Sequence, residues 1–171
     1  PAVLRNRSEF SARAAGVLGF SIFGTGKIYA LDQEMRLDLE ALKTFLEKHR
    51  GRRILLFGFT FMIWKHFVAE LLRLREQGIT LDLSGGILIH GGGWKKLAQE
   101  AVTPEEFRGR LKDLCRLEHV HDYYGMAEQT GCVCMECECH HLHTSIFSDV
   151  IVRRPLDFGE CSPGEPGILQ V

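Results

Sequence analysis

Arg53-Ile54-Leu55-Leu56-Phe57-Gly58 is a nearly continuous apolar run closed by a glycine. Polar residues do not alternate with apolar ones, so neither face is set aside for water. That pattern fits a strand buried on both faces, as in a parallel sheet. Upstream, Met35, Leu39, Leu42 and Leu46 stand at i, i+4, i+7 and i+11, which predicts an amphipathic helix over 33–49 ended by Gly51. Downstream, Thr60 is placed to cap a second helix, with Phe61, Trp64, Val68, Leu71 and Leu72 as its buried face and Gly78 as its end. Ile87-Leu88-Ile89-His90 is another buried strand, running into Gly91-Gly92-Gly93-Trp94. Thr103-Pro104-Glu105-Glu106 opens a third helix as N-cap, first helical residue and capping box, with Val102 and Phe107 set for a hydrophobic staple. Phe107, Leu111 and Leu114 carry its stripe, and His119-Val120-His121 begins the next strand.

Strand and helix therefore alternate from about residue 53 to 124. This predicts a layered α/β fold with a mostly parallel sheet and flanking helices. Strands are expected near Ile54–Phe57, Ile87–His90 and Val120–Tyr123. Ligands of such sheets sit beyond the carboxyl ends of the strands, so the Gly91–Gly93 and Tyr123–Glu128 loops are expected at one crevice. Before this region, Gly16 to Phe23 is short, apolar and bounded by glycines, and reads as a strand. Gly24-Thr25-Gly26-Lys27 imitates a phosphate loop, but Ile28 stands where Ser or Thr should bind magnesium, and Ser21 replaces the first glycine. A glycine turn is the better reading. Beyond Gly131 the texture changes to short β-like pieces, 147–153 and 167–171, with turns at Pro163-Gly164 and Pro166-Gly167. The expected division is residues 1–131 as α/β and residues 132–171 as a β-rich Cys/His segment of the same domain.

The chain has 171 residues, room for one ordinary domain with a core of its own. Lys and Arg number 21 against 22 Asp and Glu, so bulk charge favours neither nucleic acid nor an anionic membrane. No apolar run reaches membrane-spanning length, and residues 1–10 carry no leader-like apolar stretch. Of six Cys, four crowd between Cys132 and Cys139, which argues for metal or cytosolic thiols over a secreted disulfide scaffold. A cytoplasmic location is expected. The missing initial Met and the last residues, Gly167-Ile168-Leu169-Gln170-Val171, read as those of a piece cut from a longer protein.

The stretch with chemical content is His121-Asp122-Tyr123-Tyr124-Gly125-Met126-Ala127-Glu128-Gln129-Thr130-Gly131. Tyr124 offers a flat π-face, and Gly125 leaves room above the backbone. Asp122 can accept from an exocyclic amine, and Glu128 is a hard oxygen ligand suited to magnesium. Core aromatics and a solvated turn carboxylate would account for the same residues. The triple glycine Gly91, Gly92, Gly93 lets a ligand approach the backbone closely, or simply makes a tight turn.

Tyr124-Gly125-Met126-Ala127-Glu128 resembles the tyrosine-glycine-x-threonine-glutamate motif of adenylate-forming enzymes, and Gly91-Gly92-Gly93 resembles their earlier glycine motif. The wording is closer to one branch. Ile89 to Lys95, Asp122 to Gly131, Met135-Glu136-Cys137-Glu138 and Phe147 to Pro155 resemble the acyl-protein synthetase (LuxE) family. Phenylacetate–CoA ligases are a neighbouring branch. The resemblance implies a fragment of the large N-terminal domain of a ligase that activates a long-chain fatty acid with ATP. The acyl group then passes to a protein cysteine, for a partner acyl reductase. It implies that Tyr124 stacks on adenine, that Asp122 contacts its amine, and that Gly91 to Gly93 line its pocket. Tyr123, Gly125, Met126 and Ala127 belong to the same nucleotide loop, and Glu128 would hold magnesium as the catalytic carboxylate. Ala127 departs from the motif: the usual Thr hydroxyl touches the α-phosphate, so that contact falls to a backbone N–H, Gln129 or Thr130. The family's phosphate loop, ribose Asp, catalytic Lys and acceptor Cys are expected outside residues 1–171. The competing readings are an aryl-acid CoA ligase and a non-catalytic nucleotide- or zinc-binding module.

Cys132, Cys134, Cys137, Cys139, His140, His141 and His143 are ample donors for a structural zinc, or plain thiols with incidental histidines. Cys137, Cys139, His141 and His143 share parity, but on a straight strand their ends lie roughly 20 Å apart. Zinc therefore requires a turn inside the cluster. Cys115 and Cys161 are expected to pack as small apolar residues.

Overall fold

The structure, a computed structural model, describes residues 12–126 and 131–171. It is α/β, with a five-stranded sheet in the order β1-β2-β3-β4-β5 and a separate β6-β7 pair. The strands are β1 Ile54–Phe59, β2 Gly86–Gly91, β3 His119–Gly125, β4 Val133–Glu136, β5 Leu142–His143, β6 Ile151–Arg153 and β7 Ile168–Gln170. The helices are α1 Ala12–Phe20, α2 Leu39–Lys48, α3 Thr60–Met62, α4 Ala69–Glu76 and α5 Pro104–Cys115. The chain divides into two compact units, Pro1–His121 and Asp122–Val171.

In the first unit β1 and β2 pair in parallel, from Ile54↔Gly86 to Phe59↔Gly91. The strands expected near 54–57, 87–90 and 120–123 are present, but the sheet is mixed and not mostly parallel: β3 with β4 and β4 with β5 are antiparallel. Only a long crossover can make a parallel pair, whereas the Cys/His segment turns back within a few residues. The β2 strand is largely buried, as its unbroken apolar run requires. At the end of the strand order, β1 is only half-buried and exposes Leu55, so the expectation of burial on both faces fails there.

Three local expectations are corrected. Gly16 to Phe23 is not a strand: α1 runs to Phe20 and a 3-10 turn covers Ser21–Phe23. Ala12, Ala14 and Ala15 start a helix strongly enough to carry Gly16 and Gly19 inside it, Ala14 is buried, and Phe20 stacks on Phe57 at 4.4 Å. The helix predicted over 33–49 starts only at Leu39, because two aspartates claim the preceding backbone. Asp38 accepts from the Ala41 N–H at 3.0 Å as N-cap. Asp32 accepts from the Arg36 N–H at 2.8 Å, closing a turn in which Met35 takes a φ of 62°.

The third correction concerns 60–76. Between α3 and α4 lies a π-helical turn, Ile63–Val68. Its wider winding shifts the phase of the apolar face. Ile63, Phe67, Val68, Leu71 and Leu74 are buried, while Trp64 and Leu72 pack at the margin. The helix ends as read: the N–H of Gly78 donates to Arg75 O and that of Ile79 to Leu74 O, both 2.9 Å, with Gly78 at φ 74°. In α5 the cap also stands, Thr103 Oγ1 accepting from the Glu106 N–H at 3.2 Å. Phe107, Leu111, Leu114 and Cys115 then join Leu83, Leu88, Leu117 and Val120 in one core. Cys115 packs as a small apolar residue, and burial pushes its thiol up to about 11.

In the second unit Tyr123, Tyr124 and Gly125 of β3 face Met135, Cys134 and Val133 of β4, and β4 continues into a hairpin with β5. β6 and β7 pair antiparallel through Val152↔Leu169. Among the described residues no helix is long and apolar enough to cross a membrane.

Candidate functional site

The glycine loop begins where β2 ends. His90 is buried at 7% exposure, and its Nδ1 lies 2.9 Å from Thr60 Oγ1. The Thr60 hydroxyl also lies 3.3 Å from the Gly91 carbonyl. That hydroxyl has one proton to share between the two contacts, and the His90 tautomer decides which of them it serves. Thr60 is therefore not the expected N-cap. Phe59 precedes the helix without a side-chain cap, and Thr60 clamps the end of β2 instead. The parallel register sets this up: Phe59 pairs with Gly91, so the next residue along, Thr60, is beside the loop.

The three glycines differ. Gly91 is buried in β2. Gly92 has a φ of 71°, where a side chain is strained, and a Cβ there would stand 3.4 Å from Phe59. Gly93 has neither reason: its φ is not positive, and a Cβ would meet nothing within 4 Å among the described residues. Gly125 resembles Gly93. A Cβ there would make ordinary contacts of 3.6 and 3.7 Å with Val133 and Cys132. Among the described residues, packing does not demand glycine at Gly93 or Gly125.

In the second unit Asp122, Tyr123, Tyr124 and Gly125 lie on β3, and Met126 follows. Tyr124 is 40% exposed at the strand's end. Tyr123 is half-buried, and burial, with the Asp122 charge adding to it, holds its hydroxyl above the ordinary value. Asp122 Oδ1 accepts from the Tyr123 N–H at 2.9 Å. Ala127 and Glu128, with Gln129 and Thr130, lie outside the described residues.

The Cys/His cluster contains the turn that zinc would need. The Cys137 N–H donates to His141 O and the His140 N–H to Cys137 O, both 2.9 Å, with His140 at φ 61°. This hairpin puts His143 Nε2 3.3 Å from Cys137 Sγ. Two tetrahedral zinc ligands, one sulfur and one nitrogen, stand about 3.5 Å apart, so this pair fits two corners of such a site. Cys139 and His141 are exposed, and among the described residues the four do not gather as a three-ligand set. Cys134 is buried, which pushes its thiol up, and Cys161 is half-buried with its thiol also raised by burial.

Glu136 was visible in the sequence only as one letter of a motif. Its side chain is 8% exposed and sits between Asp122 and His140. Thr60 and His90 were equally hidden, being 30 positions apart; only the β1-β2 register joins them.

No curated protein and no solved structure matches this chain. The family model described as "Acyl-protein synthetase, LuxE" matches residues 3–171, nearly the whole chain, and the chain belongs to that family.

Proposed function

We propose that this chain is part of an ATP-dependent ligase that activates a long-chain fatty acid as its adenylate and transfers the acyl group to a protein cysteine. The observation that carries the reading is the family match across residues 3–171, since acyl-protein synthetase activity is what that family is named for. The ring of Tyr124, 40% exposed at the end of β3, supports a stacking role in this reading. The division expected from sequence belongs to the same reading: residues 1–131 and 132–171 as parts of one adenylate-forming large domain.

The acid's carboxylate oxygen attacks the α-phosphorus of ATP, and pyrophosphate leaves. A cysteine thiolate then attacks the acyl carbonyl, and AMP leaves. Tyr124 would stack on adenine, Asp122 would accept from its amine, and the Gly91–Gly93 backbone would line its pocket. Magnesium supplies charge neutralisation at the phosphates, and Glu128 would hold it. The full-length enzyme should exchange labelled pyrophosphate into ATP only when a long-chain fatty acid is present. Exchange dependent on an aryl acid and completed by CoA would establish the phenylacetate-type alternative. Absence of exchange with either acid, beside retained ATP or zinc binding, would establish a non-catalytic module. An acyl-reductase protein is the expected partner.

Zinc is a second component of the proposal, carried by the Cys137–His143 spacing. Protein purified without chelator should carry zinc with Zn–S distances near ~2.3 Å, and Cys137→Ser should lose it. Less than about a tenth of an equivalent in the unmodified protein removes the metal from the reading.

A further inference from the structure

We infer that Glu136 is a positioning residue of the nucleotide site, acting through the backbone of Asp122. The inference rests on the adenylate reading above. The β3-β4 ladder runs Gly125↔Val133, Tyr124↔Cys134, Tyr123↔Met135. Its next step would set Asp122 against Glu136. There the Asp122 N–H donates to the Glu136 carboxylate, Oε2, at 2.7 Å. A side-chain anion therefore receives the N–H that opens the segment leading to Tyr124. A short bond from N–H to a carboxylate is among the stronger ones, and its strength grows with burial.

Glu136 is itself held. It is paired with Leu142 across the β4-β5 hairpin, and its other oxygen, Oε1, lies 3.2 Å from His140 Nδ1. One buried side chain thus ties the Cys/His hairpin to the start of the tyrosine segment. The next link is Asp122 Oδ1, which accepts from the Tyr123 N–H. Backbone and carboxylate of Asp122 are both engaged in setting the path of the chain into Tyr123 and Tyr124. Loss of the Glu136 acceptor frees that path, and the ring of Tyr124 must then be ordered by the nucleotide. The cost falls on ATP binding and not on the chemical step.

The test is pyrophosphate exchange by the full-length enzyme at saturating fatty acid, with a thermal melt of each variant. Glu136→Ala should raise the ATP KM about tenfold or more, the size of a lost bond to a charged group, with kcat and the fatty-acid KM within about twofold. Glu136→Gln keeps an acceptor oxygen at the same reach but not the charge, and should raise the ATP KM clearly less than Glu136→Ala does. If Glu136→Ala does not fold, Glu136→Asp, which draws the carboxylate back by one methylene, should show the same rise. An unchanged ATP KM in a folded Ala or Asp variant overturns the inference and leaves the adenylate reading standing. So does a Gln variant as impaired as Ala, which would mean that charge acts and not the bond. Absence of exchange in the parent enzyme removes the adenylate reading and this inference with it.

Discussion

Leu111→Ala should lower the unfolding free energy by about 3 kcal/mol, within the ~2–5 kcal/mol typical of buried leucine truncations. Leu111 is 0% exposed on α5, inside the core formed with Phe107, Leu114, Leu117 and Val120. Its neighbours belong to helix and strand alike, so collapse around the void is restricted and the cavity term is retained. Cys115 reports the same event independently. Its thiol donates to the Leu111 carbonyl at 3.1 Å and is wholly buried. It should react with a thiol reagent only through unfolding, and faster in the variant. Urea unfolding followed by far-UV circular dichroism gives the magnitude. A loss under about 1 kcal/mol would mean that the site is not packed as described.

What the sequence disclosed follows from how local each signal is. The cap at Thr103 and the Schellman end at Gly78 involve residues three to five apart, and both read directly. The apolar runs at 54–57 and 87–90 identified β1 and β2, though only β2 is buried as such a run implies. Failures came where another local interaction competes with the apolar spacing. Met35 continued the helical spacing, but Asp32 and Asp38 hold the backbone before Leu39 in turns. The π-turn over Ile63–Val68 shifts a face that an undisturbed 3.6-residue period would predict.

The site divides in the same way. Gly93, Gly125 and Tyr124 were marked by their residue type, and among the described residues Tyr124 is 40% exposed and a Cβ at Gly93 would meet nothing within 4 Å. Thr60, His90 and Glu136 were not marked, since each acts on backbone far along the chain. A threonine before a helix looks like a cap until the register of β1 against β2 is known. A glutamate among cysteines looks like a solvated or metal-facing carboxylate until the end of the β3-β4 ladder is known. The turn that zinc was expected to require lies between Cys137 and His141, and of Cys137, Cys139, His141 and His143 it brings Cys137 and His143 within 3.3 Å.

Tyr124→Ala and Glu128→Gln in the full-length enzyme should differ in kind. Tyr124 stands at the exposed end of β3, paired through its backbone to Cys134, so its ring can be removed without breaking the ladder. Stacking of a base on an aromatic ring is worth roughly 1–3 kcal/mol, so the ATP KM should rise about five- to a hundredfold with kcat little changed. Glu128→Gln retains size and removes charge. Charge matters most when the phosphates carry the most of it, as pyrophosphate leaves, so this variant should lower kcat and shift the magnesium dependence. Purely structural roles predict another outcome. Both substitutions would then lower the melting temperature, and whatever protein stayed folded would keep the parent's ATP KM. Steady-state kinetics beside a thermal melt separates the cases. A well-folded Tyr124→Ala enzyme with unchanged ATP kinetics would take away the stacking role on which this reading of the tyrosine segment depends.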